Sequence, residues 1–186
     1  GTSKYEIADN STSAIYQGDL CMTGGYNSDQ TDANSVAVAV GYISCSSVTE
    51  NILNFGVFNG CFYIDPTTAK PTWKNYYPGA VNITTGTIDA YCYDNPQQLY
   101  EVQASGSLAQ TDMGNLIDTN TYVAGSTING HSKEELASAV TGSGATAQWR
   151  LIRGSEDPAN NDKSAANSNW VVRLNESIYY NGAVLT

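Results

Sequence analysis

The chain has 186 residues, long enough for one well-buried core, and reads as a single domain spanning 1–186. Eight Lys and Arg against eighteen Asp and Glu leave a net charge of −10, which disfavours nucleic acid and anionic membranes, since both demand cations to neutralise phosphates. Only 14% of residues are charged, and Ser, Thr, Asn, Gly and thirteen Tyr fill their place, a composition suited to β structure with long polar loops.

Period-two alternation is the recurring signal, and it predicts strands at 4–8, 15–23, 35–44, 55–64, 88–94, 99–104, 145–153, 170–176 and 177–180. In 35–44, Val36, Val38, Val40 and Tyr42 share one face. In 55–64, Phe58, Phe62 and Ile64 are expected on one face with Gly56 and Gly60, and Val57, Cys61 and Tyr63 on the other. Those glycines leave room for a bulge or a close approach. Turn signals separate the strands at Gly24-Gly25, Asp65-Pro66, Pro78-Gly79, Asp94-Asn95-Pro96 and Asn181-Gly182. Helix signals are few: 111–116 has the makings of one turn, and Ser132 with Glu135 has capping-box spacing ahead of Leu136 and Val140. Strands at short intervals without helical crossovers predict a mainly β, antiparallel barrel or sandwich. Segments 26–34 and 155–169 read as long loops. No apolar run approaches the ~18 residues of a membrane-spanning helix, so no membrane partner is expected. The chain opens on Gly1 rather than Met, and its numbering is read as starting inside a longer or processed chain.

Chemistry-bearing patterns are sparse. Cys21, Cys45, Cys61 and Cys92 form no CxxC and have one His to join them, which argues against zinc. Disulfides would allow three pairings, but Cys61 and Cys92 sit in apolar strands, where a reduced thiol packs as a small hydrophobe. That favours free thiols. His131 follows Asn129-Gly130 in a loop, with no serine nucleophile elbow in the chain. Glu101 and Glu176 read as solvent-facing strand carboxylates. Loop 156–162 and the pair Asp29 and Asp32 offer oxygens for calcium but match no EF-hand pattern. Asn-x-Ser/Thr sequons at Asn10, Asn82 and Asn175 are expected by chance in so polar a chain. With neither a Walker loop nor GxGxxG, no catalytic, metal or cofactor residue is assigned, and the chain reads as a non-enzyme. The aromatic cluster Trp73, Tyr76 and Tyr77, just before Pro78-Gly79, is the candidate contact site, as a sugar-stacking platform or a protein interface.

A succession of segments carries a resemblance. Ile15-Tyr16-Gln17-Gly18-Asp19-Leu20 is followed by Gly56-Val57-Phe58-Asn59-Gly60-Cys61-Phe62-Tyr63 and by Tyr76-Tyr77-Pro78-Gly79. Next come the stretch from Ala90-Tyr91-Cys92-Tyr93-Asp94-Asn95-Pro96 to Gln103, then Leu151-Ile152-Arg153, then Trp170-Val171-Val172-Arg173-Leu174-Asn175-Glu176. Their order resembles the head cement, or decoration, proteins of marine tailed bacteriophages. Cys21 and Cys92 depart from it, standing where that family's pattern has small aliphatics, and segments 120–141 and 155–169 match poorly. The resemblance implies a β-tulip-like domain with an extended N-terminal arm over 1–14. It further implies a structural virion protein on the outer surface of the capsid, partnered by the major capsid protein and self-associating as a trimer. The competing expectation is a secreted carbohydrate-binding or adhesin domain, equally acidic, Tyr-rich and β.

Overall fold

The computed structural model describes residues 1–9, 11–27, 40–45, 54–120, 123–141 and 147–179, with side chains described outside 23–27 and 40–45. Among these residues the chain is mainly β, in two sheets with almost no helix. The first sheet contains β1 (Ser3–Ile7), β2 (Leu20–Asn27), β3 (Val40–Cys45), β4 (Asn54–Ile64), β5 (Pro71–Lys74) and β6 (Ile88–Tyr93). The second contains β7 (Leu99–Gln103), β8 (Leu116–Ile117), β9 (Trp149–Gly154) and β10 (Asn169–Leu174), in the order β7-β10-β9-β8.

The first sheet runs β2-β3-β1-β6-β4-β5 and curls until β2 also pairs with β4, Leu20 opposite Val57 and Met22 opposite Asn54. Five strands thereby form a ring, and β5 continues beyond it along β4. Neighbours are antiparallel except β1 and β3, which meet in parallel at Glu6 and Tyr42. Register slips between Cys21 and Met22, Thr23 and Gly25, and Phe58 and Gly60 supply the bending, because a bulge sharpens local twist. The slip at Asn59 also resets the alternation of β4. Phe58 and Cys61 both enter the core, while Phe62, expected to share a face with Phe58, emerges on the outside.

Residues 3–7 of the expected N-terminal arm are β1, hydrogen-bonded between β6 and β3, with Ile7 in the core and Tyr5 packed against it. The apolar side chains on alternate positions are what draw this segment into the ring. Inside the ring, Ile7, Cys21, Phe55, Phe58, Cys61, Tyr63, Ile88, Ala90 and Cys92 form one core. A second core lies where Leu20 and Val57 meet Leu151, Trp149, Trp170 and Val172 of the other sheet, a sandwich contact. Trp170 is fully buried and its indole N–H donates to Ser168 Oγ at 3.1 Å, so truncation to Ala is expected to cost about 3–5 kcal/mol.

The capping-box segment is extended rather than helical. Ser132 Oγ accepts from the Glu134 amide, and Leu136 N donates to Gln103 O, so sheet partners take the backbone groups a helix would need. The expected turn at 111–116 is a 3-10 turn at Gln110–Asp112. Residues 177–179 form a turn rather than a strand, with Ile178 N donating to Asn54 O. Positions 35–39, loop residues 28–34, Asp29, Asp32, Asn10 and Asn181-Gly182 lie outside the described residues. No helix among the described residues is long and apolar enough to cross a membrane.

Candidate functional site

The three expected contact aromatics separate by burial. Tyr77 is fully buried; its hydroxyl donates to Ser11 O at 3.0 Å and accepts from Val81 N at 3.3 Å, making it a core residue and not an interface one. An isolated antiparallel bridge to Ile15 fixes it there. Tyr76 is half-buried and stacks on Tyr16, centroids 5.7 Å apart and planes 7° from parallel, with Lys74 Nζ 5.8 Å from its centroid. Trp73 alone is widely open, at 52% exposure.

Strand register shows what surrounds Trp73. It stands opposite Phe62 on β4, Phe62 opposite Asp89 on β6, and Asp89 opposite Glu6 on β1. Residues directly opposite share a sheet face, so these four form one row on the barrel exterior. The adjacent row is Gly60, Tyr91 and Lys4. Gly60 lets Trp73 lean across to Tyr91, ring centroids 5.2 Å apart, because a Cβ there would come within 2.6 Å of the indole. One half of the face is thus aromatic, with Phe62 also exposed. The other half is charged: Lys4 Nζ lies 2.9 Å from Asp89 Oδ2, a hydrogen bond that raises the lysine pKa, and Glu6 is raised by burial and then by the Asp89 charge.

A second concave feature lies between the sheets. A cavity of about 130 Å³ is lined by Gly18, Val57, Tyr100, Val102, Thr119, Trp149 and the carboxylates Glu101, Glu134 and Glu135. Tyr100 meets Trp149 edge to face at 5.7 Å. The Gln17-Gly18-Asp19-Leu20 turn shapes one wall: Gly18 has φ +104°, Asp19 Oδ2 accepts from Tyr16 N at 2.8 Å, and Leu20 N donates to Glu134 Oε2 at 2.9 Å. Burial, followed by the nearby Asp19 carboxylate, pushes the Glu134 pKa up to about 8, against the pull of the Leu20 amide. Its sequence context had marked this segment only for a helix cap. The carboxylate's burial depends on contacts more than a hundred residues away in sequence.

The remaining candidates resolve into structural roles. Cys61 and Cys92 are free and buried, Cys21 is buried with its Sγ 4.0 Å from Cys92 Sγ, and the side chain of Cys45 lies outside the described residues. Burial pushes the Cys61 thiol up to about 12. In loop 156–162, Asp157 accepts from Ala159 N, Asp162 from Ser164, and Glu156 pairs with Arg153, so these oxygens serve their own turns. No group of three or more potential metal ligands occurs among the described residues. His131 is exposed, its backbone bridging Gln17. Glu101 is exposed as expected, whereas Glu176 is 2% exposed, because the chain turns inward after β10. Comparisons with family models, curated proteins and solved structures return no match.

Proposed function

We propose that the chain is a structural decoration protein of a bacteriophage head, binding the outer capsid surface and bridging neighbouring major capsid subunits. The observation that supports this most directly is the exposed row through Trp73 and Phe62, with Tyr91 beside it, on the rigid exterior of the barrel. Large rings held on strands supply contact area at little entropic cost, as interface anchors require. The segment order described above supplies the identity of the partner. Self-association as a trimer belongs to the same proposal. Many modest contacts repeated over a shell would hold such a protein by effective concentration, without any one strong site.

The test compares thermal genome release from shells carrying the protein, lacking it, or carrying the Trp73→Ala variant. Shells without it should release DNA at lower temperature, and Trp73→Ala should weaken binding to shells by about 2 kcal/mol or more and so lower occupancy. Equal release temperatures for all three would refute the proposal. The 52% exposure of Trp73 favours one other reading, a carbohydrate-binding domain in which the indole stacks on a sugar ring. Clear glycan affinity, lost in Trp73→Ala, combined with no binding to shells, would select it.

A further inference from the structure

The cavity between the sheets has the chemistry of a site for a positively charged, partly apolar group. Its walls are Val57, Val102 and the rings of Tyr100 and Trp149. At its border, Glu134 Oε2 is occupied by the Leu20 amide while Oε1 is buried with no hydrogen-bond partner among the described residues. As an anion Glu134 would leave this buried oxygen without a donor, a cost that raises its pKa and that a cationic donor at Oε1 would relieve. A surface groove lies beside the cavity. Glu134 and Glu135 line both, and Gln103, Val123, Ser132, Lys133 and Asn169 complete the groove, so the ligand's approach is proposed on this side.

We propose that this cavity binds a primary alkylammonium group, its N–H donating to Glu134 Oε1 and its methylene stem lying against Val57, Val102, Tyr100 and Trp149. The shape agrees with the chemistry. At about 130 Å³ the space approaches the engineered apolar cavity of about 150 Å³ that takes up benzene, so a four-carbon stem with its head at the rim fits. Glu134 holds the position through the chain on either side of it. Ser132 N donates to Gln17 O on the barrel side, and Leu136 N donates to Gln103 O on the β7 side, which pins the segment between the two sheets.

Other charges facing Glu134 set the direction of any pH dependence. Asp19 approaches from the turn before β2, Glu101 from β7, and Glu135 and Lys133 from the same segment. Three of these four are carboxylates, so the field favours a cation. With its pKa near 8, Glu134 is mostly protonated at pH 7 and must lose its proton when the ammonium arrives, releasing one proton to solvent and forming an ion pair. The site therefore couples cation uptake to proton release. The same ammonium can come from a free amine or from a lysine side chain of a polypeptide, and the second would deepen the proposed capsid contact.

Isothermal calorimetry of the intact chain, run in two buffers of different ionisation enthalpy, tests this with three probes: n-butylammonium, Nα-acetyl-lysine-N-methylamide and tetramethylammonium chloride. The expected result is butylammonium binding with release of a large part of one proton at pH 7, and a clearly smaller release at pH 9.5. Glu134→Gln should weaken binding at least about tenfold and abolish the proton release, while Lys133→Ala, which removes a like charge at the mouth, should strengthen it. Both variants are checked for native β circular dichroism. Capped lysine binding as well as butylammonium identifies a polypeptide source, and capped lysine excluded while butylammonium binds identifies a free amine. No heat from either primary amine, equal binding to Glu134→Gln, or equal binding of tetramethylammonium, which has no N–H to donate, would overturn the proposal.

Discussion

Trp73 reaches the ring of Tyr91 over the bare backbone of Gly60, 5.2 Å between centroids. Gly60 is therefore the spacer that shapes the exposed face. A Cβ at this position would lie 2.6 Å from the indole and 2.8 Å from Lys74 O. Gly60→Ala is expected to destabilise the fold by about 1–3 kcal/mol through overpacking. Urea denaturation of Gly60→Ala, Trp73→Ala and the double variant forms a cycle. Trp73→Ala should relieve part of the penalty, and the clash with the β5 carbonyl should keep the rest. Strict additivity would show that the two residues do not interact.

Tyr77 behaves differently from its neighbour four positions earlier. Its hydroxyl answers both Ser11 O and Val81 N inside the core, so Tyr77→Phe leaves the buried Val81 amide without this acceptor, while Ser11 O keeps the bond from Ala80 N. The expected loss is about 1–3 kcal/mol, measured from the shift in urea midpoint. Trp73→Phe, at an exposed position, should change stability by no more than about 0.5 kcal/mol. A larger loss at Trp73 than at Tyr77 would invert the assignment of core and surface.

These two aromatics mark the limit of what the sequence reveals. Strand existence was legible because alternation is local: β1, β4, β6, β7, β9 and β10 all fall on segments with period two. Which side each face turns to was not, once a bulge intervened. Phe62 lost its expected partner Phe58 at Asn59, where one extra residue in β4 exchanges inside for outside. Ser132 and Glu135 show a second reason. Their spacing is that of a helix cap, but Leu136 N donates to Gln103 O and Leu136 O accepts from Ser105 N, and these long-range bonds override local propensity. Glu134 was invisible as a site because its burial and its bond to Leu20 arise from chain segments 114 residues apart.

Within the barrel, Cys92 Sγ stands 4.0 Å from Cys21 Sγ, about twice the separation of a covalent S–S bond. Cys61 Sγ donates to Tyr76 O at 3.6 Å, and desolvation keeps its thiol protonated at neutral pH. Native protein should leave Cys61 and Cys92 unlabelled by a thiol reagent over hours, since the thiolate is the reactive form. Unfolding without reductant should then expose both to complete labelling. Blocked thiols at Cys61 and Cys92 in the unfolded, unreduced chain would contradict the free-thiol assignment.

Glu134 makes the fold's stability depend on pH in a direction opposite to that of most surface carboxylates. Its folded pKa, about 8, lies above the ordinary 4.5, so the folded chain binds a proton between these values that the unfolded chain has released. The contribution is fully present below about pH 4.5 and is lost as pH rises through about 8. Across that window stability should fall by up to about 1.4 kcal/mol per pH unit from this group alone, and then level off. Asp65 and Asp162 pull the other way: Asp65 accepts from the Thr68 and Thr67 amides, and Asp162 from the Ser164 hydroxyl and then its amide, which lowers each pKa. Their contribution is present above the ordinary carboxylate range and lost as pH falls through their lowered values, so the two effects occupy separate windows. Urea midpoints from pH 5 to 9.5 should therefore decline toward alkaline pH in the native sequence and stay nearly flat in Glu134→Gln, whose amide can accept from Leu20 N without carrying a charge. A native midpoint independent of pH between 5 and 9.5 would mean that Glu134 is ionised throughout, with its charge met by a donor in the cavity.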